Sequence, residues 1–243
     1  MQVPGVYVCV GDKEISPFIS RFEMDRSLGG DLDSMELVFT DRYDELAASM
    51  LKGDILQVSW GYNQSFELLF EGPLSSIEKS QGTVTLKALD YSIAFNGIII
   101  SKTFQDEPAS EILKTILSPS GLALEIEDSD LSYSIFPVFN QSASSVLSKI
   151  SEDASRHAGV DYYQRQKAKT FSWRALDTSK PAVMDFVSGG NIIEWKQGNQ
   201  LTTLIVPVFC GDIVTVDGLR YLVYSARYRW GKGGRTSLKV KAV

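Results

Sequence analysis

The chain has 243 residues, with 30 acidic against 24 basic side chains and a formal charge of −6. A hydrophobic share of 44% and a charged share of 22% belong to a protein with a buried core and exclude wholesale disorder. No run approaches the roughly 18 apolar residues of a membrane-spanning helix, the opening Met1-Gln2-Val3-Pro4-Gly5 lacks the basic and apolar regions of a signal peptide, and the acidity leaves no footprint for sequence-independent nucleic-acid binding.

Short β-segments dominate the first 96 residues. Val6 to Val10 is β-branched and aromatic and closes at Gly11-Asp12. Ile19 to Met24 and Met35 to Thr40 follow, separated by the loop Ser27-Leu28-Gly29-Gly30-Asp31. Thr40 or Asp41 then predicts the cap of a short helix through Ala47, Ala48, Met50 and Leu51, with Glu45 near the capping-box position and Gly53 at its end. Ile55 to Trp60 alternates with period two, Gly61-Tyr62-Asn63-Gln64 reads as a hairpin loop, and Phe66 to Phe70, Leu74 to Glu78 and Val84 to Leu89 complete an antiparallel set.

The rhythm changes near residue 97. Pro108 opens a helix with Ile112, Leu113, Ile116 and Leu117 on one face and Gly121 beyond its end. A strand from Ala123 to Ile126, the acidic loop Glu127 to Asp130 and a strand from Ile135 to Phe139 come next. Ser142 caps a second helix, with Val146, Leu147, Ile150 and Ala154 on one face and Gly159 at its end. Val160 to Arg165 and Thr170 to Trp173 form a hairpin, and Asp177 to Pro181 reads as a linker into a final all-β segment. The expected architecture is mainly β with an α+β insert: two related small β-barrels, at 1–96 and 181–243, flank an α+β domain at 97–180.

The strongest signal is an internal repeat. Gly53-Asp54-Ile55-Leu56-Gln57-Val58 matches Gly211-Asp212-Ile213-Val214-Thr215-Val216, and each is followed by a turn, two strands and a Gly-containing turn. Each copy closes on a Leu-Lys strand, Thr85-Leu86-Lys87-Ala88-Leu89 in the first and Ser237-Leu238-Lys239-Val240-Lys241 in the second. The physical reading is two copies of one small β-unit separated by the insert. Three such chains present six similar domains, enough to match a six-fold partner.

These residues carry a resemblance. The Gly-Asp-Ile-x-x-Val strand starts, Pro207 before the second of them, the closing Tyr224-Ser225-Ala226-Arg227-Tyr228 strand with its Gly-rich hairpin, and the Gln141-Ser142-Ala143-Ser144-Ser145-Val146-Leu147 helix start resemble the late-control-D-like hub proteins of contractile phage tails and related injection systems. The resemblance implies a homotrimeric, pseudo-six-fold ring in the virion baseplate. It implies as partners the hexameric tail tube, the central spike and the tape-measure protein, with DNA passing through the lumen rather than being bound specifically. The interval between Trp195 and Pro207 holds no extra insertion of the kind longer members carry.

The inventory for chemistry is thin. The single histidine, His157, ends a helix, and Cys9 and Cys210 sit in apolar runs where buried thiols are expected, a disulfide between them being the alternative. Neither a zinc site nor a Ser/His/Asp triad can be built from these residues, so no catalytic residue, cofactor or metal is expected. The cluster Glu125, Glu127, Asp128 and Asp130 lacks the EF-hand spacing and reads as a solvated loop. Gly231-Lys232-Gly233-Gly234-Arg235 lacks the order of a phosphate loop and precedes a strand. Its Lys232 and Arg235, with Arg227, Arg229 and Trp230 on the adjoining strand and Asn63 at the earlier hairpin, are the candidate interface residues; an ordinary solvated face is the other reading of the arginines. An alternative function, a carbohydrate-binding or adhesin-type tail-tip protein, is suggested by Trp60, Tyr62 and Trp230 near hairpin tips. A hydrolase with an unseen site is a third.

Overall fold

A computed structural model of the chain describes residues 4–28, 32–63, 65–196, 199–231 and 234–243. It contains 18 strands, which we number in chain order, and it divides into two units. One comprises 4–27, 32–90 and 178–243, and the other is built on Tyr91–Asp177.

In the first unit, β1 (Pro4–Val10), β2 (Lys13–Glu14), β3 (Ile19–Ser27), β4 (Ser34–Thr40), β5 (Ile55–Tyr62), β6 (Ser65–Ser80) and β7 (Thr83–Leu89) precede the insert. Alternation explains them. Met35, Leu37 and Phe39 of β4, Leu56, Val58 and Trp60 of β5, and Val84, Leu86 and Ala88 of β7 are all buried, while the residues between them face outward or lie half-covered. The strand order is β3-β4-β7-β6-β5-β1.

In the second unit, α1 (Ala94–Gly97), β8 (Ile99–Pro108), α2 (Ala109–Leu117), β9 (Ala123–Ile126), β10 (Ser132–Ser142), α3 (Ala143–Ala158), β11 (Tyr162–Lys167) and β12 (Thr170–Ala175) follow. β8 and β10 form one antiparallel ribbon, and β11, β12 and β9 a three-stranded sheet. Ile112, Leu113, Ile116 and Leu117 of α2 meet Val146, Leu147 and Ile150 of α3 in a core that also holds Phe104, Phe136, Phe171 and Trp173. Ser142 caps α3 by accepting the Ser145 N–H at 3.2 Å, and Gly159, at φ 67°, ends it. The buried Trp173 indole donates to Ser151 Oγ at 2.9 Å.

The chain then returns to the first unit through β13 (Met184–Phe186), β14 (Ile192–Lys196), β15 (Gln200–Thr203), β16 (Ile213–Val216), β17 (Leu219–Trp230) and β18 (Arg235–Ala242). Here the order is β14-β15-β18-β17-β16-β13, the order of the first segment strand for strand. One pairing differs: β13 runs parallel to β16, whereas β1 runs antiparallel to β5.

The repeat persists in the hydrogen-bond register. Ile77 sits opposite Leu86, and Ala226 opposite Leu238. A register shift falls between Leu74 and Ser76 in one copy and between Val223 and Ser225 in the other. A second shift falls between Ile19 and Arg21, and again between Ile192 and Glu194. Gly53 N–H donates to Leu74 O at 2.9 Å and Leu74 N–H to Asp54 O at 2.8 Å; Gly211 N–H donates to Val223 O at 2.8 Å and Val223 N–H to Asp212 O at 2.9 Å. Both glycines have positive φ, 97° and 89°, a region that disfavours any side chain.

Several elements differ from the sequence expectation. The helix expected from Asp41 to Leu51 is a single 3-10 turn at Ala47–Ser49; Asp41 still accepts the Ala47 N–H at 2.8 Å, but Met50 is already extended, with ψ 139°. The strands expected at 66–70 and 74–78 are one 16-residue strand, β6, running through Gly72-Pro73. A Cβ on Gly72 would lie 2.1 Å from Leu89 O, so the strand passes only with glycine there. β8 carries no sequence signal, because Phe104 is its one buried residue and no alternating pattern marks it.

Candidate assembly interface

The two halves of the repeat meet along one strand pair. β17 carries β18 on one flank; on the other it carries β16 at its start and β3 over Ser225 to Trp230. Tyr228 pairs with Met24, Arg229 with Glu23 and Trp230 with Phe22. Residues some 200 positions apart in sequence thereby share one continuous sheet.

Its inner face is aromatic. Tyr228 is fully buried and meets Trp60 edge-on at 5.2 Å and 83°. Its hydroxyl donates to Val208 O at 2.6 Å, and burial holds its pKa well above the ordinary tyrosine value. Tyr62 donates to Ile205 O at 2.8 Å, and Trp230 stacks flat on Phe22 at 6.4 Å. Close by, the Arg26 guanidinium donates to the Asp33 carboxylate at 2.5 Å and lies over the Phe209 ring, and the Asp33 N–H donates to Asp90 Oδ2 at 3.0 Å. Arg26 Nη2 also donates to Leu69 O at 3.4 Å, so backbone as well as charge holds this buried pair.

The outer face is ionic. Arg227 Nε lies 2.5 Å from Asp25 Oδ1 and 3.2 Å from Glu23 Oε1, and Arg229 Nε lies 3.2 Å from Glu23 Oε2. Asp25 chiefly, then Glu23, holds the Arg227 pKa above its ordinary value. The two arginines expected on a polar face are there, but their carboxylate partners come from β3. The register shift after Val223 also turns Tyr224 outward and puts Ala226 and Tyr228 inside.

Arg235 and Trp230 line a groove of about 510 Å³ with Arg21, Phe22, Glu36 and Arg229. Asn63 occupies the exposed turn after β5, at φ 51°. Lys232 lies outside the described residues. Trp60 is 1% exposed, so it presents no ring to a sugar.

Three carboxylates of the acidic cluster have partners within the protein. Glu125 accepts from Ser172 Oγ at 2.8 Å and from Arg174 at 2.9 Å, Glu127 accepts the Ala175 N–H at 3.1 Å, and Asp128 lies 3.5 Å from Lys114 Nζ. Neither Cys9 nor Cys210 is in a disulfide, and the Cys210 thiol donates to Arg26 O at 3.4 Å. Among the described residues no cluster of three or more His, Cys, Asp or Glu side chains is arranged to hold a metal ion, and no helix is long and apolar enough to cross a membrane.

No family model matches the sequence, and no curated protein matches it. Solved structures do match, over nearly the whole chain. The 43 kDa tail protein of prophage MuSo2 from Shewanella oneidensis superposes with TM-score 0.77 at 11% identity, covering 99% of this chain and 97% of that one. The tail protein from Neisseria meningitidis MC58 gives TM-score 0.72 at 15% identity, covering 98% and 96%. The Escherichia coli c3393 protein gives TM-score 0.71 at 8% identity, covering 97% and 76%; it is a component of the type VI secretion system with structural similarity to the T4 bacteriophage tail proteins gp27 and gp5. At these identities the likeness is one of fold: this chain, mainly β with an α+β insert, has the fold of phage tail proteins.

Proposed function

We propose that this protein is a structural component of a phage-type tail baseplate, a hub whose three copies form a pseudo-six-fold ring joining the hexameric tail tube to the central spike. The observation that supports this most is the β3–β17 junction. One chain carries two copies of a six-strand unit, already joined head to tail by strand pairing. A contact of that kind links unlike edges, and repetition of it closes a ring when the rotation allows. Three chains then supply six similar faces to a six-fold tube.

In this role the protein is scaffold, without turnover. The lone His157 is exposed at the end of α3, and Glu125 and Glu127 are engaged by neighbouring side chains and backbone. The acidic excess suits a lumen through which DNA passes without being held by its phosphates. Virion localisation follows from the same reading.

Electron microscopy of the purified protein tests it. Class averages of rings with six-fold-like outline and a central opening are expected. Isolated globular particles under every condition, including in the presence of tail-tube protein, would refute it.

A further inference from the structure

The groove beside Arg235 and Trp230 carries a charge that the internal ion pairs leave over. It holds about 510 Å³ and is lined by three arginines, Arg21, Arg229 and Arg235, by two glutamates, Glu23 and Glu36, and by the stacked rings of Trp230 and Phe22. The glutamates already serve two of the arginines. Glu36 lies 3.7 Å from Arg21, and Glu23 accepts from Arg229 at 3.2 Å while also lying 3.2 Å from Arg227. Arg235 donates to the carbonyl of its own neighbour Gly234 at 3.0 Å, and among the described residues no carboxylate pairs with it.

The register makes this arrangement costly. Arg235 stands directly opposite Arg229 on the β17–β18 hairpin, and like charges opposed across a strand pair destabilise it. The hairpin is nevertheless fixed in place. Gly234 passes so close to Ile205 that a Cβ there would lie 2.6 Å from Ile205 Cδ1, and the Tyr62 hydroxyl anchors Ile205 in turn. Gly231, at φ 139°, leaves open the space where a side chain would stand 3.5 Å from Ser20 O and from Arg21 Cβ.

We propose that this groove is a docking site for an acidic segment of another protein, with one carboxylate gripped between Arg229 and Arg235 and an apolar neighbour of that residue lying against Trp230. Charge complementarity names the occupant. The lining has three cations against two anions, and one carboxylate neutralises the difference through the bidentate geometry that guanidinium groups favour. A polyphosphate or nucleic-acid strand would bring its row of charges against Glu23 and Glu36 and be repelled. Because the chain as a whole carries −6, an acidic partner is drawn to this spot and turned away from most other surface. The site lies within one chain, so it does not rest on the ring reading.

A synthetic array of hexapeptides with no, one or two glutamates among apolar residues, probed with the labelled protein, tests it. Binding that requires a glutamate is expected. Arg235→Glu should weaken that binding by about tenfold or more, as loss of a charge-assisted hydrogen bond implies. Its thermal midpoint should stay at or above that of the wild type, because opposite charges then face each other across β17 and β18. An arginine with a merely structural role would not separate binding from stability in this way. Arg235→Lys, which keeps the charge but not the fork, should bind between the two. If the charge-reversed chain melts early, Arg235→Gln supplies the same comparison without a new charge. Peptide binding that is absent, indifferent to glutamate or unchanged in both Arg235→Glu and Arg235→Gln overturns the proposal. So does a preference for inorganic polyphosphate over the glutamate peptides that is lost in the same variants.

Discussion

Asp54 and Asp212 do the same work in the two halves of the repeat: each carboxylate accepts the N–H three residues before it, from Leu51 at 2.8 Å and from Phe209 at 2.7 Å. In each case the backbone N–H of the aspartate also donates back, to Leu51 O and Phe209 O, both at 3.1 Å. The Gly-Asp pair is thus a turn that delivers the chain into β5 and into β16 at a fixed register. Its glycine supplies the positive φ and its aspartate satisfies an N–H that the turn would otherwise orphan. Asp54→Ala and Asp212→Ala should each lower stability by about 1 kcal/mol, read by urea denaturation. Unequal effects, with one site silent, would show that the two turns are not equivalent.

Gly72→Ala should cost more than either, about 2 kcal/mol or above, because the new Cβ meets the Leu89 carbonyl and the strand must shift. Circular dichroism melts check this; an unchanged midpoint would mean β6 bends there instead of passing straight through.

Trp60→Ala removes an indole that packs on Phe22 and Tyr228 and so touches both copies of the repeat. Loss of a fully buried aromatic of this size costs about 3–5 kcal/mol, and the near-ultraviolet signal of the β-unit should collapse. A folded variant that loses only glycan binding would point to the tail-tip adhesin function instead.

Stability should also depend on pH through Asp217. The Ser188 hydroxyl donates to it at 2.6 Å and the Ser188 N–H at 2.8 Å, and these bonds, the hydroxyl first, hold its pKa below the ordinary carboxylate value. A depressed folded pKa contributes stability above the unfolded value and loses it as pH falls through the folded one. Ser188→Ala should therefore destabilise the protein at neutral pH, with the difference from wild type closing in acid. A difference constant across that range would assign the effect to packing.

The Tyr91–Asp177 unit has its own core, with Leu113, Ile116, Leu147 and Ile150 all 2% exposed or less. Expressed alone, it should fold with helical circular dichroism and a cooperative melt, and Trp173→Ala should abolish that melt. A chain that stays unfolded by itself would show that it depends on the β-unit.

Much of this architecture is legible in the residues. The Gly-Asp-Ile and Leu-Lys matches mark the repeat because turn geometry and register restrict what those positions accept, and the apolar stripes of α2 and α3 announce the insert. The junction is not legible: nothing in Ser225 to Trp230 names Phe22 to Ser27 as its partner, since strand pairing across 200 residues is decided by the shared Trp60–Tyr228 core. The helix expected after Asp41 fails because that aspartate spends its carboxylate on the Ala47 N–H at the start of a single tight turn. Arg227 and Arg229 stand out as an ionic face from spacing alone, whereas Glu23 and Asp25, their partners, carry no mark until the strands are placed.

The most direct test is the number of chains in the native particle, measured by native mass spectrometry of the purified protein. The ring account predicts a dominant species of three 26.9 kDa chains, unchanged in stoichiometry when tail-tube protein is added as a hexamer. A monomer or dimer that persists in the presence of the tube would contradict it.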